Sequence, residues 1–532
     1  MENRNNSEKI VSSYYSTQIT GDVSFGTSGH RGSSLDGTFN EKHILSISQA
    51  LCDYRKKNKI SGPLFLGYDT HALSFPAFKT ALEVFAANNV EVFIHGNCEY
   101  TPTPVISFMI LEFNRTNKKS LADGVIITPS HNPPEDGGFK YNPPHGGPAD
   151  IEITNFIEKR ANQLINSKNL GIKRIAYKKA LSALSTYERD FITPYVESLS
   201  DVIDTETIHQ SKIKIGIDPM GGAGVNFWDP IADKYGFDID VVNSTVDKTF
   251  SFMPPDYDGK IRMDCSSPHA MANLIKLADK YDIAWGNDPD FDRHGIVCPD
   301  GLMNPNHYLS VAIWYLLQNR PLWENNLSIG KTLVSSSMID KVVMGFNKTI
   351  FETPVGFKWF VNGLMEGKIA FCGEESAGAT FLRKNGDVWT TDKDGFILTL
   401  LAAEILAKTG QTPSQIYKDT LVPEFGNPYY KRIDGPITNE QKTILSQTSP
   451  DSIKATSLAG LSIVNIQTKA TGNNSPIGGI KVNLSDGSWF AIRPSGTEPK
   501  MKLYIESFGG EDLWEKIHDE ALNLIFRIPK EG

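Results

Sequence analysis

The sequence is poor in cysteine. Its 532 residues hold five, Cys52, Cys98, Cys265, Cys298 and Cys372, odd in number, widely spaced and without a C-x-x-C pair. That argues against a disulfide framework and for a reduced, cytoplasmic setting. Long apolar runs are also missing. The most hydrophobic stretch, residues 397–407, is short, contains Glu404 and reads as an amphipathic core helix, not a membrane span. The polar start from Met1 to Lys9 has no apolar core of the kind a secretory signal carries. Basic charge is in deficit: Lys+Arg 53 minus Asp+Glu 62 gives −9. This excludes a protein that holds nucleic acid by a broad basic surface, though not one with a small cationic pocket. Neither a membrane nor a nucleic acid is expected as a partner.

What is present is an ordinary globular composition, with 40% hydrophobic and 22% charged residues. The length implies roughly three to five domains, each large enough to fold around its own core. Short apolar runs alternate with helical periodicity. Leu64–Tyr68 reads as a strand ending at Asp69 and Thr70, and the apolar positions Phe75, Phe78, Ala81, Leu82 and Phe85 predict a helix over 75–87. Strands are expected at 90–95, at 125–127 before Ser130, at 212–217 before Asp218, and at 282–286 before Asn287. Further ones are expected at 332–335, 350–353 and 369–372. This is β-α-β grammar with a mainly parallel sheet, and ligands then bind beyond the carboxyl ends of the strands. The last hundred residues change: strands at 480–484, 488–492 and 502–506 with polar turns between them predict an antiparallel meander closed by a helix over 511–526. Domain boundaries fall near residues 205, 301 and 425.

Five loops carry chemistry. Asp288, Asp290 and Asp292 follow a buried strand, and carboxylates at i, i+2 and i+4 of an extended segment share one face. Like charges about 4 Å apart repel by about 4 kcal/mol at an effective dielectric of 20, so the three call for a cation, and oxygen-only ligands favour Mg²⁺ or Ca²⁺. A calcium EF-hand fails because Arg293 stands where its glycine belongs. Ser130, at a strand end and followed by His131, a turn-rich stretch and Lys140, suits an activated hydroxyl; a Pro/Gly loop whose serine caps a helix is the plain alternative. Arg493, Ser495, Gly496 and Thr497 form a compact phosphate-type turn. Glu374, Glu375 and Ser376 lie between glycines and suit sugar hydroxyls. The glycine-rich turn with His30 and Arg31 lacks P-loop spacing. Together they are the parts needed for phosphoryl transfer on a sugar phosphate. A Mg²⁺-dependent phosphatase with an Asp nucleophile, or a silent relative, are the rival readings.

Taken in order from the Phe25–Gly32 turn to the Arg493–Glu498 loop, these motifs resemble the α-D-phosphohexomutase superfamily, and within it the bacterial glucose-specific branch. The resemblance covers essentially the whole chain. It implies an α/β fold of four domains around a central cleft: three related α/β mixed-sheet domains (residues 1–205, 206–301 and 302–425) and a smaller C-terminal α+β domain (426–532). It implies interconversion of α-D-glucose 1-phosphate and glucose 6-phosphate through phosphoserine 130, with glucose 1,6-bisphosphate as intermediate and activator. By resemblance, Ser130 with Asp288, Asp290 and Asp292 binds Mg²⁺, and Arg31 and Arg293 support the phosphoryl group. His131 and Lys140 match acid/base positions. Glu374, Ser376 and Lys393 contact the sugar, and Arg493, Ser495, Gly496 and Thr497 clamp the other phosphate. Val355 replaces a threonine of animal relatives, so a contact in that loop is either made through the backbone, with Gly356 the expected substrate-binding residue, or lost. The resemblance further implies a cytoplasmic monomer or homodimer whose last domain moves to close the cleft.

Overall fold

A computed structural model describes residues 6–26, 29–494 and 500–526. The chain divides into two compact units, Met1–Asn304 with Ser376–Thr412, and Pro305–Glu375 with Pro413–Gly532.

The first unit holds two sheets. In one, the strands run in the order Phe25–Gly26, Gly29–Ser33, Asp136–Asn142, Asp123–Ile127, Leu64–Tyr68, Val92–His95 and Thr186–Arg189. The last four are mutually parallel, and Asp136–Asn142 and Gly29–Ser33 form an antiparallel wing. The three inner parallel strands are mainly apolar and the edge strand Thr186–Arg189 is polar and exposed; helices such as Ser74–Ala87 and Glu41–Lys57 cover the sheet, and Leu64, Leu66, Val125 and Ile127 pack with them in one core. The second sheet has the parallel strands Asp238–Val241, Lys214–Asp218 and Ile283–Gly286, extended by antiparallel Gly295–Cys298 and Gly301–Leu302. The helix Gly395–Thr409 starts where Asp394 accepts the Phe396 and Ile397 amides at 3.0 and 3.3 Å, and it stops at Gly410 with φ +71°. It is not amphipathic as expected. Every residue from Gly395 to Ile405 is buried, and Glu404 is satisfied by the Asp204 amide at 2.8 Å. No helix among the described residues is long and apolar enough to cross a membrane.

In the second unit the strands Ile350–Thr353, Ser328–Thr332 and Ile369–Glu374 are parallel. The strand expected at 332–335 lies four residues earlier. Lys331 made that segment look polar, but its ammonium is buried against Asp340 and the Ser336 carbonyl, and the apolar Leu333 and Val334 belong to the following turn. The C-terminal strands form an antiparallel sheet in the order Tyr429–Pro436, Lys500–Ser507, Trp489–Pro494, Pro476–Leu484, Leu461–Lys469 and Ser457–Leu458. Helix Gly510–Phe526 covers it through Trp514, Ile517, Ala521 and Ile525. This sheet is fixed to the parallel strands of the same unit. Leu333 and Val334 share a buried cluster with Trp489, Ala491 and Tyr504, and Lys481 Nζ, fully buried, bonds the Leu333 carbonyl at 2.6 Å and Glu352 Oε2 at 3.1 Å. Val355 packs on that cluster, which gives the valine a structural role.

Candidate active site

Strand Asp123–Ile127 delivers Thr128, Pro129 and then Ser130, which has φ +60° and is 1% exposed. A serine in the left-handed region is uncommon and marks a turn held by its surroundings. Ser130 Oγ donates to Asp288 Oδ2 at 2.8 Å and lies 3.3 Å from His131 Nδ1.

Asp288, Asp290 and Asp292 follow strand Ile283–Gly286, and each offers an oxygen within 4.8 Å of the others. They do not line one face of an extended segment. The Phe291 amide returns to the Asp288 carbonyl at 2.8 Å, and Phe291, at φ +59°, buries its ring beneath the loop against Phe396. The turn converges the carboxylates. Asp290 Oδ1 and Asp292 Oδ1 have no hydrogen-bond partner among the described residues. Burial, then the charges of Asp290 and Asp292, push the Asp288 carboxyl well above the usual range. Orphaned buried oxygens and a carboxylate that resists ionising fit a hard divalent cation.

Two lysines face the triad. Lys140 lies on strand Asp136–Asn142 opposite Ile126, and its Nζ is 2.6 Å from Asp290 Oδ2 and 3.3 Å from Asp292 Oδ2. Against the cost of burial, those carboxylates hold it above its ordinary pKa, so it stays an ammonium. Lys393 Nζ is 3.0 Å from Asp292 Oδ2, and its stem passes Gly378, where a Cβ would come within 2.1 Å of Lys393 Cδ. The backbone beside Ser376 reaches the same place, since the Ala377 carbonyl accepts the His294 amide at 3.1 Å. Arg31 Nη1 donates to the Pro129 carbonyl at 3.1 Å and Asn132 Oδ1 at 3.3 Å, and the Arg293 amide donates to Asp288 Oδ1 at 3.0 Å. Burial, then Arg293, hold His131 down to about 3, so its imidazole is neutral.

Thus Arg31, Ser130, His131, Lys140, Asp288, Asp290, Asp292, Arg293 and Lys393 converge in the first unit, with Ser376 on the neighbouring segment. Gly356, Glu374 and Arg493 belong to the second. There the Gly356 amide donates to Glu374 Oε1 at 3.1 Å, and Glu375 Oε2 accepts from Thr332 Oγ1 at 2.8 Å. Arg493 pairs across strands with Lys502, and Lys502 pairs with Asp434, which holds Arg432 Nε at 2.9 Å. Arg432, Lys502 and Arg493 therefore share a sheet face. Ser495, Gly496 and Thr497 lie outside the described residues.

Reading by motif missed several groups. Thr103 Oγ1 donates to Asp290 Oδ2 at 2.7 Å. Asp264 follows Met263, whose amide bonds the His131 carbonyl at 3.3 Å; His131 and Arg293 hold its carboxyl down to about 2 against the push of burial. Arg432 and Lys502 were also passed over. None sits in a recognisable motif; Lys502 alone had a signal, on the strand next to Arg493 in a predicted meander.

Four α/β and α+β segments with a serine beside an acidic triad define a phosphoryl-transfer enzyme of the α/β class, and comparison with known proteins agrees. The chain matches phosphoglucomutase/phosphomannomutase alpha/beta/alpha domains I, II and III over residues 22–168, 193–301 and 304–423, and the C-terminal domain over 446–524. It belongs to the phosphoglucomutase/phosphomannomutase family. It is 56% identical over 526 residues to a phosphoglucomutase of Komagataeibacter xylinus, covering 98% of this chain and 94% of that one. It is 25% identical to phosphoglucomutase 1 of Drosophila melanogaster, over 92% and 91% of the two chains. Its fold is like that of the open form of parafusin, a phosphoglucomutase from Paramecium, with a TM-score of 0.74 at 21% identity, covering 96% of this chain and 95% of that one.

Proposed function

We propose that this protein interconverts α-D-glucose 1-phosphate and glucose 6-phosphate through a phosphoserine at residue 130 and a glucose 1,6-bisphosphate intermediate, which also serves as activator. The observation that carries the reading is the 2.8 Å hydrogen bond from Ser130 Oγ to Asp288 Oδ2. It puts a buried serine hydroxyl, in a conformation serine rarely adopts, against the oxygen triad that a phosphorylated serine and a divalent cation would share. The 56% identity to a phosphoglucomutase supports the substrate.

In the first half-reaction the bond from Ser130 Oγ to phosphorus breaks as the 6-hydroxyl oxygen of glucose 1-phosphate bonds to phosphorus. Oγ leaves with the electron pair, and the hydroxyl proton passes to a base. The bisphosphate turns end for end, its 1-phosphate returns to Ser130, and glucose 6-phosphate leaves. His131, neutral and 3.3 Å from Oγ, is fit to move a proton. Lys140, held as an ammonium, instead donates or balances charge. Arg31 and Arg293 steady the phosphoryl oxygens. Asp288, Asp290, Asp292 and an oxygen of the phosphoserine would hold Mg²⁺, which supplies charge stabilisation for the phosphoryl group when bound. Glu374, Ser376 and Lys393 read the sugar, with the backbone at Gly356. Arg493, Ser495, Gly496 and Thr497 clamp the phosphate that is not transferred. Domain boundaries near residues 205, 301 and 425, and a cytoplasmic location, belong to the same reading; the separate sheets at 25–189, 214–302 and 429–507 support the boundaries.

The test is turnover of glucose 1-phosphate, with mannose and glucosamine 1-phosphates alongside, coupled to detection of the 6-phosphate product. Glucose turnover that requires glucose 1,6-bisphosphate and vanishes in Ser130→Ala is expected. Full turnover by Ser130→Ala would sink the covalent step, and preference for another sugar would sink the substrate assignment.

A further inference from the structure

Strands Leu64–Tyr68 and Asp123–Ile127 run parallel with Tyr68 opposite Ile127, so the loops at their carboxyl ends lie side by side. Asp69 is the centre of the junction and is fully buried. Its Oδ1 accepts from the His71 amide at 3.0 Å and Ser74 Oγ at 2.5 Å. Its Oδ2 accepts from Thr128 Oγ1 at 2.6 Å and lies 2.8 Å from His71 Nδ1. Thr128 Oγ1 in turn accepts the Ser130 amide at 2.8 Å. On the other side of Ser130, His71 Nε2 lies 3.0 Å from the Asn132 carbonyl. With an acceptor at each nitrogen, the ring donates twice and is an imidazolium. Burial opposes that charge, but the Asp69 carboxylate holds the ring above its ordinary pKa. The imidazole packs against the Phe250 ring in a tilted contact, centroids 4.7 Å apart and planes inclined at 55°.

The phosphoryl-carrying turn is therefore tied on both flanks, through Thr128 before it and Asn132 after it, and both ties converge on one buried carboxylate. Serine at φ +60° is strained, and the conformation persists because its neighbours over-determine it. We propose that Asp69, His71 and Thr128 are positioning residues that hold Ser130 in its left-handed turn and so aim Oγ for phosphoryl transfer. The inference rests on the reading of Ser130 as the phosphoryl carrier and deepens it. All three side chains are 1% exposed or less, so they act through the loop and not on the sugar. A misplacement of about 1 Å at a reacting atom costs on the order of a hundredfold in rate, while substrate held by other groups still binds.

The experiment compares wild type with His71→Leu, Thr128→Val, the double variant and His71→Arg, which restores a planar cation with donors for both acceptors. Thermal melting confirms folding. Expected is a fall in kcat of at least about tenfold for His71→Leu and for Thr128→Val, with KM for glucose 1-phosphate within about twofold. The double variant should fall little below the worse single, because both ties end on Asp69. His71→Arg should recover at least about threefold of the loss. Unchanged kcat in both singles, a loss carried by KM, fully multiplicative effects, or His71→Arg as poor as His71→Leu would each overturn the proposal. If His71→Leu does not fold, the near-isosteric Thr128→Val and His71→Arg decide it by the same criteria. Labelling of wild-type protein by glucose 1,6-bisphosphate runs in parallel: no label means the phosphoserine reading has failed, whereas normal label with unaffected variants means only the positioning role has.

Discussion

Lys140→Met tests whether the acidic triad is built for a cation. The lysine supplies positive charge to two carboxylates that are 0% and 2% exposed, at 2.6 and 3.3 Å. At an effective dielectric of about 20 those distances correspond to gross attractions of about 6 and about 5 kcal/mol. Most of that offsets the desolvation of the three groups, and removing one partner of a buried pair typically costs about 3–5 kcal/mol net. In a unit of this size one kcal/mol shifts Tm by on the order of 2 °C, so Lys140→Met in a metal chelator should melt about 5–10 °C below wild type. The orphaned charge is then available to a divalent cation. Added Mg²⁺ should recover most of the loss and raise Tm further in the variant than in wild type, where Lys140 already neutralises the site. Scanning calorimetry with chelator and with a Mg²⁺ series measures both effects. Equal Mg²⁺ shifts in the two proteins, or a variant as stable as wild type in chelator, would refute the reasoning. Turnover does not enter the test, so a catalytic role for Lys140 does not confuse it.

Other outcomes follow from the same structure. Glu352→Gln strips the buried Lys481 of its carboxylate and should destabilise the second unit by about 3–5 kcal/mol, whereas Glu352→Leu with Lys481→Met should lie close to wild type in chemical denaturation. Of the five thiols only Cys98 is partly exposed, so a thiol-specific reagent should titrate one rapid equivalent in the native protein and five after denaturation; the Cys52 thiol, pushed up to about 12 by burial, should be among the slow ones. Thr103→Val removes the 2.7 Å bond to Asp290 and should weaken Mg²⁺ binding several-fold in direct titration, without a comparable loss of thermal stability in chelator.

Much of the fold was legible from local pattern. The strands Leu64–Tyr68 and Ile350–Thr353 stand where the apolar runs put them, and the helix over 511–526 differs by one residue. Ser130 and the three aspartates were legible because each loop follows a strand whose residues are all apolar or glycine near its end. Two errors share a cause. The strand Ser328–Thr332 carries a buried, paired lysine, and the helix Gly395–Thr409 a buried, paired glutamate. Lys331 is paired by Asp340 of the next helix and Glu404 by the Asp204 amide 200 residues away, so hydropathy read one residue at a time misjudged where the chain is buried. The supports of the site were illegible for the same reason. Thr103 meets Asp290 across 187 residues, and Thr128 meets Asp69 across 59. Single polar residues at strand ends acquire meaning only when the sheet order places those ends together. Asp69 came nearest, as the first residue after a strand whose position was expected.

The expectation that the last domain moves meets a further constraint. Within the second unit the C-terminal sheet is joined to residues 328–355 by a buried apolar cluster and by the Lys481 bonds to Leu333 and Glu352. Swinging it away from those strands would expose Trp489 and Tyr504 and leave a buried ammonium unpaired.

The central claim is that Ser130 carries the phosphoryl group and gives it to a sugar. A single-turnover chase tests this most directly: protein labelled with radioactive phosphoryl from glucose 1,6-bisphosphate is mixed with excess unlabelled glucose 1-phosphate and quenched in acid. The account predicts that label leaves Ser130 within a turnover and appears in glucose bisphosphate and glucose 6-phosphate. Label released as inorganic phosphate, or mapped to one of the aspartates and not to Ser130, would contradict it.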